Sequence, residues 1–237
     1  MRPMYIAIAL TFVLFAAGCG AGEEPMYTST PVSISASGKS TIITLPEPRQ
    51  DSDVSLEQSL LKRRSIRDYT GEPLTLAEVS QLLWAAQGIT GAHGFRTAPS
   101  AGALYPLEVY VVAGDVEGLE AGIYRYVPEN HKLRLIVEGE YRDELSKAAL
   151  SQSPVASGAV SIVFTAVYER TTVKYGERGI RYVHIELGHA TQNLCLQAEA
   201  MELGAVTIGA FSDEKVAEVM NLSDDEKPLY IVPVGRK

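Results

Sequence analysis

Val160-Ser161-Ile162-Val163-Phe164-Thr165-Ala166-Val167-Tyr168 is a β-rich, continuously apolar run. Without polar alternation it reads as a central strand covered on both faces. The longest helical pattern follows over 180–203. Ile185, Leu187, Leu194, Leu196, Ala198 and Ala200 make it apolar nearly all round, as expected of a helix buried on several sides. Beyond it, Ala205 to Ile208 reads as a short strand, Ser212 caps a helix from Asp213 to Met220, and Pro228 to Val234 is the last strand. Upstream, Tyr141 to Leu150 reads as a helix. Gly122 to Val127 and Lys132 to Val137 form a hairpin around Pro128-Glu129-Asn130, and Val109 to Ala113 is a strand. Thr75-Leu76-Ala77-Glu78 is a capping box opening a helix that ends at Gly88, and Ser55-Leu56-Glu57-Gln58 opens a shorter one. Strands and helices are interspersed rather than strictly alternating, so the fold class is α+β.

The chain has 237 residues, with 46% hydrophobic and 21% charged, enough for one sizeable core. Its net charge of −8 argues against nucleic acid, which needs a basic field. Arg2 and the apolar run from Tyr5 to Ala17, closing on Ala16-Ala17-Gly18-Cys19, read as an export signal too short to span a membrane. Cys after small residues resembles a bacterial lipoprotein box, with Cys19 as the lipidated residue; the other readings are an ordinary signal peptide, or a cytoplasmic protein whose translation starts at Met26. The expected organisation is a signal peptide over 1–18, a Ser/Thr/Pro/Gly-rich tether over 19–50 and a folded domain over 51–237. The expected location is a membrane-anchored, extracytoplasmic lipoprotein. The signal lacks a twin arginine, so any cofactor would be acquired after export. Cys195, in an apolar helical run, reads as a buried small hydrophobe.

Arg63-Arg64-Ser65-Ile66-Arg67 places three guanidiniums and a hydroxyl within five residues at the end of a short helix. Guanidinium forks match phosphate oxygens, and the alternative is a solvated surface cluster. Pro99-Ser100-Ala101-Gly102-Ala103-Leu104-Tyr105-Pro106 sets small residues between prolines, which either lets backbone amides approach a ligand or makes a rigid turn. Thr207-Ile208-Gly209-Ala210 places a glycine between a strand and a helix, with the same two readings. Lys174-Tyr175-Gly176-Glu177-Arg178 is a polar segment before the long helix; it either supplies a base and a proton donor or is a solvated loop. His184 and His189 are five apart on different helical faces, so no metal site is expected. No Gly-x-Ser-x-Gly elbow appears, and Gly38-Lys39-Ser40 lacks the upstream glycine of a phosphate loop.

From about Leu45 to Gly235 the chain resembles the nitroreductase-like flavoproteins, and within them the SagB/ThcOx-type dehydrogenases. The matching stretches are the arginine cluster, Leu82-Leu83-Trp84-Ala85-Ala86-Gln87-Gly88, the Pro99–Pro106 loop, Lys174 to Arg178, Gln192-Asn193-Leu194 and Leu229 to Gly235. The resemblance implies a central mixed sheet flanked by helices, with the long buried helix at a homodimer interface and FMN between subunits. It implies that Arg63, Arg64 and Arg67, assisted by Ser65, hold the phosphate and ribityl side. Ser100, Ala101 and Gly102 would reach the ring from the partner, and Ile208 and Gly209 would cover it. Lys174 would be the catalytic base and Tyr175 a proton relay. Enzymes of this type oxidise thiazoline or oxazoline rings of modified peptides to azoles. The competing expectations are a nitro- or quinone reductase fed by a nicotinamide, and a flavin-binding lipoprotein without turnover.

Overall fold

The computed structural model describes residues 41–237. The expected signal peptide, Cys19 and the tether up to residue 40 lie outside the described residues. In chain order the first half contains β1 (Ile42–Thr44), α1 (Leu56–Lys62), β2 (Leu74–Thr75), α2 (Leu76–Gln87), β3 (Leu107–Ala113), β4 (Val116–Glu117), β5 (Gly122–Val127) and β6 (Lys132–Glu138). The second half contains α3 (Arg142–Ala148), α4 (Ser153–Ser157), β7 (Val160–Val167), α5 (Glu169–Tyr175), α6 (Arg178–Ala200), β8 (Leu203–Ala205), α7 (Asp213–Met220) and β9 (Glu226–Arg236).

Seven strands form one sheet in the order β1-β6-β5-β3-β7-β9-β8. The α+β class holds, with one correction. Every neighbouring pair in this sheet is antiparallel, so it is not mixed. The parallel contacts are the small β2–β4 pair and an isolated Ser65–Ala205 bridge. β5 and β6 join through a short turn, which only antiparallel neighbours allow. β1 lies inside the stretch expected as tether, pairs with β6, and is followed by buried Leu45, so the folded unit starts before residue 51.

β7 is an interior strand of the sheet, between β3 and β9, and all but its last residue are buried. Ile162, Phe164 and Ala166 face a core built with α2 and α6, including Leu82, Leu83, Val183, Leu187 and Leu194. Val163 faces the opposite core, with Leu145, Val155, Val216 and Met220 from α3, α4 and α7. This is the two-sided burial that an unbroken apolar strand requires.

The long helix differs from expectation in two respects. It starts at Arg178, and α5 precedes it, where the sequence shows only a polar segment. α5 has no apolar periodicity, and Gly176, at φ 57°, separates it from α6. Nor is α6 enclosed all round: Val183, Leu187, Ala190, Leu194 and Ala198 are buried, while Ile180 and Ile185 are exposed. On α1, Leu56, Leu60 and Leu61 are likewise exposed. At Gly88 the helix ends in extended rather than left-handed backbone. Glycine is needed there for space, since a Cβ would lie 2.2 Å from the Trp84 ring.

Candidate active site

The expected site residues fall into two groups. The first begins where α1 ends. The Ser55 hydroxyl accepts from the Gln58 amide at 3.2 Å, and the Arg63 amide closes the last turn on the Ser59 carbonyl at 2.9 Å. The chain then runs beside β8, where the Ile66 amide donates to the Ala205 carbonyl at 3.0 Å. Two glycines make room for it. Gly204 and Gly235 are direct partners across β8 and β9. A Cβ on Gly204 would sit 2.7 Å from Ile66, and one on Gly235 2.7 Å from the Tyr69 ring. The Tyr69 hydroxyl donates to the carbonyls of Ile66 (3.2 Å) and Pro233 (3.0 Å), pinning the segment to the sheet edge.

This docking leaves Arg64, Ser65 and Arg67 exposed and Arg63 half-buried. None of the three arginines makes an ion pair among the described residues. Arg64 donates to the carbonyls of Leu61 (3.0 Å) and Arg63 (2.8 Å). Arg63 lies close enough to Cys195 on α6 to draw its thiol pKa down, but burial is the larger effect and raises it. Cys195 is therefore a buried thiol with no nucleophilic character. Downstream of β8, Ile208 exchanges backbone hydrogen bonds with Ile231 at 2.8 and 3.0 Å and is buried, while Gly209 is exposed beside Tyr230. The arginine cluster and the Ile208-Gly209 junction thus flank the same strand end. Arg236 pairs through two nitrogens with Glu78, at 3.1 and 3.0 Å, and Lys237 with Glu199 at 2.9 Å.

The second group is built on the loop before β3. The Tyr105 amide donates to the Ser100 hydroxyl at 2.9 Å, closing a tight turn over Ala101–Ala103. Gly102 (φ 65°), Ala103 (φ 54°) and Tyr105 (φ 46°) are left-handed. For the two residues that carry a Cβ this costs on the order of 1 kcal/mol or more each, and such backbone strain concentrates at functional sites. Arg170 helps hold the conformation by donating to the Tyr105 carbonyl at 3.1 Å, and the Arg96 guanidinium stacks 4.5 Å from the centre of the Tyr105 ring.

Gly102 backs directly onto the Lys174-Tyr175 pair at the end of α5. A Cβ there would lie 2.8 Å from the Tyr175 hydroxyl and 3.0 Å from Lys174 Nζ. Only glycine combines this approach with a left-handed backbone. Lys174 Nζ is 5.4 Å from the Tyr175 ring centre, and Tyr182 packs edge-on against Tyr175 at 5.1 Å. A lysine amine, a phenol and a strained small-residue loop therefore share one surface.

Sequence reading missed Glu186. It is 2% exposed on α6, with one carboxyl oxygen unpaired among the described residues. Burial is the main cause pushing its pKa up to about 7, against the Ser100 hydroxyl, Arg96 and Gln87, which favour the charged form. The signal was present as a lone carboxylate on the inner face of an apolar helix.

Glu186 adjoins the Ser100 loop and Cys195 adjoins Arg63. Nine residues of helix separate them, a rise of roughly 13 Å. The two groups are stations along one helix.

A model described as the nitroreductase family matches residues 60–236. A Methanocaldococcus jannaschii protein provisionally named a nitroreductase is 47% identical over 200 residues, covering 84% of this chain and 98% of that protein. The microcin B17-processing protein McbC of Escherichia coli is 30% identical over 135 residues, covering 54% of this chain and 48% of that protein, so the likeness spans about half of each. The Bacillus subtilis FMN reductase (NADPH) is 26% identical over 192 residues, 75% of this chain and 64% of that protein. Among solved structures, a protein of Anabaena variabilis provisionally described as a nitroreductase superposes with a TM-score of 0.74 at 34% identity, covering 83% of this chain and 42% of that one.

Proposed function

The chain belongs to the nitroreductase family of oxidoreductases, and from that premise we propose that it is an FMN-dependent dehydrogenase of the SagB/ThcOx type. The observation that carries this reading is the contact of Gly102 with the Lys174-Tyr175 pair. It joins the loop expected at a flavin ring to a lysine that can serve as the base a dehydrogenation needs beside its hydride acceptor, and to a phenol that can carry the proton away.

The residues fit the cofactor in kind. Arg63, Arg64 and Arg67, which make no ion pair among the described residues, form a cationic end in an acidic chain, suited to a phosphate. Ser65 adds a neutral donor. Gly209 offers an exposed bare backbone suited to a flat ring, held in place by the hydrogen bonds of buried Ile208 to Ile231. Bound FMN would supply hydride acceptance. In the proposed reaction Lys174 would take the proton that a thiazoline- or oxazoline-like ring gives up as bound FMN accepts its hydride, and Tyr175 would relay that proton outward. The substrate leaves two hydrogens poorer, as an aromatic azole. Ser100, Ala101 and Gly102 hold the ring side and exclude water.

We further propose a homodimer in which each chain lends its Ser100–Gly102 loop to the partner's arginine cluster. The 13 Å offset between the two groups along α6 supports this. So do the exposed Leu56, Leu60 and Leu61 of α1 and Ile180 and Ile185 of α6, apolar surface that a partner would cover. A lipid anchor at Cys19, holding the domain outside the cytoplasm, completes the proposal; recovery of the native protein in the cytosolic rather than the membrane fraction would support a start at Met26 instead.

Anaerobic mixing tests the activity. An azoline-containing peptide should bleach the flavin absorbance, and Lys174→Ala should abolish bleaching while FMN stays bound. The similarity to a protein provisionally named a nitroreductase, over 98% of its length, favours a second reading, a nicotinamide-fed reductase. Rapid bleaching by NADPH with none by the peptide would establish that reading and sink the first.

A further inference from the structure

The end of the sheet behind the Ser100–Tyr105 loop carries more positive charge than the fold neutralises. Arg125 on β5 and Arg134 on β6 are direct cross-strand partners. Their side chains therefore rise from the same face with Cβ atoms about 5 Å apart, an arrangement that destabilises a sheet when the charges are alike. Arg170, in the first half of α5, brings a third guanidinium. Arg125 and Arg170 share one carboxylate, Glu108, at 2.7 and 2.5 Å. Arg134 makes no ion pair among the described residues. Arg96 enters from the loop, 3.5 Å from Glu129, and its buried Nε has no acceptor among the described residues. All six side chains line one cavity of about 280 Å³. Four guanidiniums thus face two carboxylates, a surplus of two positive charges in a chain whose net charge is −8.

We propose that this cavity binds a phosphate dianion, free or as the end of a small monoester, held by Arg125, Arg134 and Arg170. A dianion matches the surplus charge. Its tetrahedral oxygens suit guanidiniums arriving from two strands and a helix, whereas a planar carboxylate serves fewer directions. The cavity lies below the range of about 300–1,000 Å³ usual for larger organic ligands, so a whole dinucleotide is excluded. The site also reaches the loop. Arg170 holds the Tyr105 carbonyl and Arg96 covers the Tyr105 ring, so an anion that orders these arginines orders the strained end of the Ser100–Gly102 turn.

Calorimetric titration of inorganic phosphate into the FMN-saturated full chain tests the inference, with glycerol phosphate as the monoester arm and sodium acetate at matched ionic strength as control. Phosphate should bind at one site per chain and acetate should not. Binding of glycerol phosphate as well marks the pocket as one for monoesters; its failure marks it as one for the free ion. Arg134→Gln should weaken phosphate binding about tenfold or more, the effect of losing one charge-assisted contact. Its melting temperature should not fall, because Arg134 makes no ion pair among the described residues. Arg67→Ala separates this site from the proposed flavin phosphate site, and should leave inorganic phosphate binding intact whether or not FMN is held. No phosphate heat above the acetate control, or binding that survives Arg134→Gln but disappears in Arg67→Ala, overturns the proposal.

Discussion

Glu186 is a buried, strongly perturbed carboxyl beside the Ser100 loop. Its pKa of about 7 lies above the ordinary 4.5, so the folded chain keeps a proton that the unfolded chain releases. Stability should therefore fall as pH rises from about 4.5 through about 7, by up to about 3 kcal/mol. Urea unfolding across this range should show the decline, and Glu186→Gln should flatten it; parallel profiles for both proteins would remove Glu186 as the cause. Arg67 belongs to the other group. Arg67→Ala should weaken FMN binding about tenfold or more by removing a charge-assisted contact, and unchanged affinity in a fluorescence titration would remove the phosphate assignment. Arg67 was legible because clustered guanidiniums are visible in sequence. Glu186 was not, because its meaning comes from burial against Ser100 and Gln87, residues more than 80 positions away.

Among the elements, those with strong local signals were read nearly to the residue. Ser212 caps α7 through the Lys215 amide, Thr75 and Glu78 close a reciprocal capping box, and β5 and β6 flank the Pro128 turn. What escaped were pieces whose structure comes from contact. β1 is three residues paired to β6, and α5 lacks an apolar stripe. The antiparallel order of the sheet also rests on pairings distant in sequence. The glycines carry the same lesson. Gly204 and Gly235 lie just outside the strands expected from sequence, yet their pairing seats Ile66 and Tyr69 and so aims the arginine cluster. Gly235→Ala should cost roughly 1–3 kcal/mol through overpacking against Tyr69, read as a lower urea midpoint. It should also weaken FMN binding; a variant as stable as the parent would show that the segment repacks freely. Gly102→Ala should slow turnover more than it weakens FMN binding, since the added methyl meets the Tyr175 hydroxyl and Lys174 while the arginine cluster stays intact.

At the scale of the whole molecule, one chain presents two groups of expected site residues offset along α6, together with exposed apolar residues on α1 and α6. In the proposed homodimer two chains complete each other's flavin sites. The most direct measurement is titration of FMN into the purified full-length chain, following flavin fluorescence while light scattering reports the mass. Saturable quenching at one FMN per chain, on a particle of twice the chain's 25.6 kDa, is the predicted result. A colourless protein whose addition leaves FMN fluorescence unchanged would contradict it.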